Sequence, residues 1–344
     1  MKIALALCSA LIASNLYASN TPLQQLGEKL FFDSRLSEPS GQSCASCHMP
    51  SAGFADPDKE LPVSRGVIPD RMGTRNSPTA AYARFIPPLH FDESEKMYLG
   101  GLFADGRANT LEDQAKGPLT NPLEMNNASN AAVIKKIIEV GYSDGFNAIF
   151  GQNSLQTPKA IDHVTSAIAS FERTDSFSPF SSKYDAVLAG KAKLSKLEAE
   201  GMQLFADPQK GNCAACHPHT SENNAPVLFT DFSYDNLGVP DDKDPGLGQI
   251  TNRQEDLGKF RVPTLRNIAV TAPYMHNGRL KTLRDVVDFY NTRDTRNDWG
   301  KSSYPETVNH DELGNLGLKN DEVDAIVAFL ETFTDGYKVP TSNR

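Results

Sequence analysis

Apolar residues return at helical spacing in two matched sets. In the first, Leu26-Gly-Glu-Lys-Leu30-Phe31-Phe32-Asp33 reads as a short amphipathic helix, and Thr157-Pro158 opens a helix with Ile161, Val164, Ile168 and Phe171 on one face. In the second, the capping box Ser195-Lys-Leu-Glu198 opens a helix ending in Leu204-Phe205-Ala206-Asp207, and Asp321 to Thr334 carries Val323, Ile326, Val327, Leu330 and Phe333. Both opening helices end in Leu-Phe-x-Asp. Both closing helices contain Ile-x-x-Phe-x-x-Thr, at Ile168 to Thr174 and at Ile326 to Thr332, which predicts an internal duplication. A further capping box, Thr282-Leu-Arg-Asp285, starts a helix with Leu283, Val286, Val287 and Tyr290 sharing a face. Residues 50 to 128 and 218 to 275 show little periodicity and are rich in Gly, Pro and Asn. Loops this long inside compact domains are usually functional or wrapped around something. The expected fold is mostly α and loop-rich.

A Ser/Pro-rich stretch followed by a lysine-rich one, Ser176 to Lys193, divides the copies into domains of residues 19–182 and 183–344. Residues 1–18 read as a secretory signal peptide: Lys2, an apolar run from Ile3 to Leu16, then small Ala18. The run is shorter than the ~20 residues that span a bilayer, and no later segment is apolar enough. The expectation is a soluble, exported chain beginning near Ser19. At 344 residues, 39% apolar and 22% charged with a net charge of −9, the sequence fits two ordinary domains and excludes fibrous, disordered and nucleic-acid-binding classes.

Five cysteines are an odd count for disulfides, but Cys8 leaves with the leader. The remaining four form two identical patterns, Cys44-Ala45-Ser46-Cys47-His48 and Cys213-Ala214-Ala215-Cys216-His217. C-x-x-C-H attaches c-type haem: two thioethers hold the porphyrin, and the adjoining His becomes the proximal iron ligand. A zinc site or a redox C-x-x-C would also use such spacings, but neither explains a His after each pair. An opening helix, a haem motif, long loops and a closing helix are what a cytochrome c domain offers. The chain reads as two such domains in tandem, carrying two covalently bound haems.

Several further segments make the resemblance specific: Arg75-Asn76-Ser77-Pro78-Thr79, Asp105-Gly106-Arg107-Ala108, Gln114-Ala-Lys-Gly-Pro118 with Asn121-Pro-Leu-Glu124-Met125, and Val262-Pro-Thr-Leu-Arg266-Asn267 with Ala272-Pro273-Tyr274-Met275-His276-Asn277-Gly278. Residues 22 to 335 resemble the bacterial dihaem cytochrome c peroxidase family, including its MauG branch. The resemblance implies one haem that reacts with peroxide and a second that relays electrons, in the periplasm. Family peroxidases often carry a distal His between the first haem motif and the Arg-Asn-x-Pro-Thr segment; this chain has none there. His90, the nearest later candidate, reads as a partly exposed loop residue, which leaves the iron above His48 open to peroxide.

By the same resemblance, Glu124 is the acid/base that moves the peroxide proton, Gln114 the hydrogen-bond donor, and Pro118 shapes the pocket. Tyr290 stands where family peroxidases place an axial Met and the MauG branch a Tyr; Met275 and His276 are rivals for the position opposite His217. An oxygen ligand there would stabilise oxidised iron more than a thioether does. Ala104 replaces the Trp that dihaem members carry before Asp-Gly-Arg, so coupling between the haems needs another aromatic such as Phe103, or is weaker. The only tryptophan, Trp299, lies in a polar loop and is expected to be structural and solvent-facing. The family also implies a calcium bound by the Asn76 side chain and the carbonyls of Thr271 and Pro273. His163, His219 and His310 read as structural or exposed.

Three functions remain open at this point. The first is a periplasmic peroxidase that takes electrons from a small cytochrome or cupredoxin, with the acidic balance helping to dock a basic donor. A MauG-like enzyme oxidising residues of a partner protein is the second, and a non-enzymatic dihaem electron carrier the third. Homodimers are common in the peroxidase branch, although no interface is legible here.

Overall fold

A computed structural model describes residues 20–221, 225–240 and 243–339; the expected leader lies outside the described residues. The helices, in order, are α1 (Pro22–Phe32), α2 (Cys44–Cys47), α3 (Leu111–Thr120), α4 (Asn130–Glu139), α5 (Ser143–Phe150), α6 (Ala160–Glu172), α7 (Lys183–Leu188), α8 (Lys196–Ala206), α9 (Gly248–Thr251), α10 (Leu283–Thr292) and α11 (Asn320–Glu331). Two small antiparallel pairs complete the fold, β1 (His90–Asp92) with β2 (Met97–Leu99) and β3 (Tyr234–Asp235) with β4 (Phe260–Arg261).

Each opening helix packs on its closing helix, α1 on α6 and α8 on α11. The sequence dictates how closely. A Cβ added to Gly27 would lie 1.8 Å from the Ala167 carbonyl oxygen, and one added to Gly201 would lie 1.9 Å from that of Ala325. Glycine is therefore required at both crossings by the approach of a neighbouring backbone. Reciprocal caps start both helices: Thr21 with Gln24 at α1, Ser195 with Glu198 at α8. The apolar faces then close two separate cores. One gathers Leu30, Phe31, Phe146, Val164, Ile168 and Phe177; the other gathers Phe205, Phe229, Val323, Ile326, Phe329 and Phe333.

Three elements depart from the sequence reading. The helix expected to open at Thr157-Pro158 begins at Ala160, because the Thr157 hydroxyl donates to the Ser154 carbonyl (3.0 Å) and holds the preceding residues in a turn. The stretch that reads as an aperiodic loop contains α3, whose Leu111, Ala115 and Leu119 are buried although Gly117 and Pro118 lie within it. Trp299 is half-buried, edge-on to Phe289 at 5.3 Å, with its Nε1 donating to Thr292 Oγ1 (3.0 Å). It is therefore half-buried rather than solvent-facing.

Side chains join the two halves directly. The Tyr82 hydroxyl donates to Asp335 (2.8 Å), Arg75 forks onto Asp244 (2.6 and 2.7 Å) while also holding Asp105, and the backbone adds a bond from the Asn76 N–H to the His276 carbonyl (2.8 Å). Arg266, fully buried, pairs with Asp185 and lies over the rings of Tyr82, Phe180 and Phe229. No helix among the described residues is long and apolar enough to cross a membrane.

Candidate active site

Both C-x-x-C-H segments are built alike. The His48 amide donates to the Cys44 carbonyl and the His217 amide to that of Cys213, each at 2.9 Å, so one tight turn carries each histidine beside its cysteines. His48 Nδ1 pairs with the Phe54 carbonyl (3.1 Å) and His217 Nδ1 with the Phe229 carbonyl (2.7 Å). Such a bond fixes the Nδ1–H tautomer and aims Nε2 away from the backbone, as a metal-ligating histidine requires. The carbonyls are themselves held, because Phe54 stacks on Phe177 at 3.9 Å and Phe229 on Phe333 at 3.8 Å. Sequence reasoning missed these partners: they lie 6 and 12 residues from their histidines, so no common spacing announces them.

Burial pushes the thiols up, Cys47 to about 11 and Cys44, Cys213 and Cys216 to about 12. A redox C-x-x-C needs a readily formed thiolate, and burial gives neither pair that environment. The second motif opens on a cavity walled by Val239, Leu265, Val286, Val287 and Tyr290. A deep apolar cavity with a histidine and two neutral thiols at its floor fits a haem held by thioethers.

On the N-terminal side, α3 carries Gln114 and Pro118 one turn apart, and Glu124 follows in the turn after the helix. Glu124 accepts from Asn121 Nδ2 (2.9 Å) and is largely enclosed. Burial raises its carboxyl above the usual range, against the lowering effects of the Asn121 bond and the Arg107 charge. Its own charge reaches Cys44 and Cys47, which places it by the first haem motif. Arg107 stacks on Phe103 (3.5 Å) and pairs with Asp105 (2.8 Å), while the Phe103 ring lies against α3 at Gly117. Arg107 thus supplies a positive charge beside Glu124 that the sequence reading left without a role. His90 is exposed, with its Nδ1 paired to the Pro88 carbonyl (2.9 Å).

Around the second motif, Tyr290 from α10, Met275 and His276 all line the same cavity as His217. The His276 ring is stacked on Phe260 at 3.8 Å, whereas among the described residues the Tyr290 ring meets only the Phe289 ring, tilted and at 6.2 Å. Burial pushes the Tyr290 phenol well up, with the neighbouring cysteines acting in the same direction. Ala104 reaches this cavity too, and its carbonyl accepts from the Arg261 amide (2.9 Å). Asn76, Thr271 and Pro273 share one wall of it, with Asn76 Nδ2 2.6 Å from the Pro273 carbonyl. No group of three or more His, Cys, Asp or Glu side chains among the described residues is arranged to hold a metal ion, so a calcium at this wall would rest on carbonyl oxygens. The other histidines lie elsewhere: His163 stacks on Phe150 (4.3 Å), His219 sits edge-on to Phe205 and His310 pairs with Asp294.

Similarity to known proteins agrees with this geometry. Residues 21–193 match the di-haem cytochrome c peroxidase family. The methylamine utilization protein MauG of Paracoccus denitrificans is 39% identical, covering 91% of this chain and 88% of its own. Cytochrome c551 peroxidase of Nitrosomonas europaea is 36% identical over 92% of this chain and 80% of its own. The crystal structure of the diheme peroxidase BthA from Burkholderia thailandensis superposes with a TM-score of 0.85 at 36% identity, covering 94% of this chain and 89% of that one. Taken with the paired histidine turns, these relations establish that the chain belongs to the di-haem cytochrome c peroxidase family, whose named members are oxidoreductases.

Proposed function

We propose that the chain is an exported, periplasmic peroxidase that reduces hydrogen peroxide to water at a haem over His48, with electrons relayed through a haem over His217. In this reading Cys44 and Cys47 attach the first haem, Cys213 and Cys216 the second, and residues 19–182 and 183–344 are the two haem domains. The observation that carries it is the asymmetry of two otherwise matching sites. One has a carboxyl whose proton affinity is raised by burial, Glu124, and the other faces a buried phenol, Tyr290.

The bound haems supply electron transfer and an iron that polarises peroxide. The protein supplies the proton handling. Overall, one peroxide, two electrons and two protons give two water molecules. Glu124 takes the proton from the near peroxide oxygen and returns it to the departing one, a double duty suited to a carboxyl raised toward neutrality. Gln114 donates a hydrogen bond to the polarised O–O unit, and Pro118 limits the volume around it. Tyr290, in preference to Met275, would supply the second protein ligand to the haem over His217, and Asn76, Thr271 and Pro273 would hold a calcium between the halves. A small cytochrome or cupredoxin delivers the electrons.

Tyr290 also supports a second reading, MauG-like oxidation of a partner protein, because a phenol ligand favours higher oxidation of the second haem. Stoichiometric peroxide titration with optical and EPR detection, followed by addition of reduced cytochrome c, separates the two. Rapid donor turnover is expected; a long-lived oxidised state indifferent to donors would select the MauG-like enzyme, and two haems inert to peroxide would leave only an electron carrier. For the ligand, a Met–iron charge-transfer band that persists in Tyr290→Phe would remove Tyr290.

A further inference from the structure

The other arginines near the junction of the two halves each have a carboxylate. Arg75 holds Asp105 and Asp244, Arg107 holds Asp105, and Arg266 holds Asp185. Arg261 differs. It lies on β4 and lines the cavity above Cys213, Cys216 and His217. Its guanidinium reaches only backbone carbonyls, Val262 at 3.3 Å and Phe103 at 3.5 Å, and its Nε is buried with no hydrogen-bond partner among the described residues. Burial works against its charge, yet a guanidinium does not deprotonate in proteins. A half-buried guanidinium on the wall of an apolar cavity, with no carboxylate beside it among the described residues, is unfavourable, and an anionic group on the occupant of the cavity would relieve that cost.

We propose that Arg261 takes a carboxylate of the haem bound over His217 and thereby fixes both the orientation and the reduction potential of that haem. The inference rests on the functional reading above, which puts the second haem in this cavity. Thioethers at Cys213 and Cys216 hold one edge of the macrocycle, and haem carries its two carboxylates on the opposite edge. Arg261 is itself anchored at that far side: its amide donates to the Ala104 carbonyl (2.9 Å), and its side chain reaches the Phe103 carbonyl. The carboxylate edge is thereby directed at the segment that runs on through Asp105 to Arg107, beside Glu124 of the other site. Arg261 is a positioning residue, not a catalytic one. Its charge stabilises the reduced iron and so raises the potential, opposing the effect of a phenol ligand at Tyr290.

The test uses the full-length holoprotein and its Arg261→Gln and Arg261→Lys variants, with haem per chain from the pyridine haemochrome, the two midpoint potentials from spectroelectrochemistry, and the propionate bending bands from resonance Raman. The His217→Gly variant assigns the second haem. Two haems per chain are expected in all three proteins. In Arg261→Gln the midpoint of the His217 haem falls and one propionate band shifts, in Arg261→Lys the potential is restored in part, and the His48 haem is unmoved. Unchanged potential and bands in Arg261→Gln would overturn the assignment. If Arg261→Gln loads only one haem, recovery of the second in Arg261→Lys supports the charge pairing, and failure of both variants makes Arg261 merely structural and also overturns it. A wild-type protein with a single haem, retained in Cys213→Ser, would instead overturn the reading beneath the inference.

Discussion

The two halves of the molecule support their histidines in the same way and differ in most of what surrounds them. Below, each half has a glycine under the closing helix, a histidine fixed by a phenylalanine carbonyl, and a stacked phenylalanine pair fixing that carbonyl. Around the histidines, one half carries Gln114 and Pro118 on α3 with Glu124 just after it, and the other lines its cavity with Tyr290 and Arg261. On the proposed function, the shared part would hold a haem in each half and the divergent part would set what each haem does. A third contrast lies inside the scaffold itself. Glu172 and Leu330 both directly follow the phenylalanine of Ile-x-x-Phe-x-x-Thr, and both are buried, so one core encloses a carboxyl where its counterpart encloses a leucine.

Substitutions that exchange features between the halves test this comparison. Removing the proton carrier has the largest expected effect: Glu124→Gln leaves both haems attached and slows peroxide turnover by about 10²–10⁴-fold, the usual contribution of a positioned acid/base. Near wild-type rates in stopped-flow mixing with peroxide would take Glu124 out of the mechanism. Next come the crossings. Gly27→Ala and Gly201→Ala each drive a methyl into a backbone carbonyl, and each is expected to destabilise its own half by about 1–3 kcal/mol. Denaturant titration should show similar losses for both; a loss at only one would break the equivalence of the halves.

Glu172 gives a pH-dependent version of the same comparison. Burial pushes its carboxyl from 4.5 up to about 8, and its Oε2 has no partner in the core. The folded state therefore keeps a proton that the unfolded chain releases. Stability from this group is full below about pH 4.5 and is lost as pH rises toward about 8. Glu172→Leu, the Leu330 arrangement, should flatten that slope and raise the melting temperature more at pH 8 than at pH 4. The smallest effect is expected at Asn121. Its hydrogen bond lowers the Glu124 proton affinity, so Asn121→Ala should raise it further. Because the base must be ionised to accept the peroxide proton, the acid limb of the peroxide reaction should move to higher pH; a shift downward would contradict the assignment of that limb to Glu124.

What was legible in the sequence is what is local in the chain. The four core helices show because their apolar faces repeat within a few turns, and the haem motifs show because two cysteines and a histidine occupy five consecutive residues. Helix α3 was hidden because Gly117 and Pro118 interrupt its pattern, and its helical state depends on packing against α6. Glu124 and Gln114 carried no signal in their spacing, and only the likeness of the surrounding segment to a family singled them out. Arg261 was invisible for the opposite reason. An arginine beside Val262-Pro263 looks ordinary until the fold denies it the carboxylate that Arg75, Arg107 and Arg266 each find.

The bonds from Tyr82 to Asp335 and from Arg75 to Asp244 have a further consequence for how such a chain can vary. They make the spacing of the two histidine sites a property of folded surfaces pressed together, and Phe180 and Ser181, just before the second half, join the same contact through Tyr82 and Asp335. Insertions or deletions near Ala189 to Lys193, inside the second half between α7 and the cap of α8, should leave the two sites in register. A reversal of charge at Asp244, far from that stretch in sequence, should not.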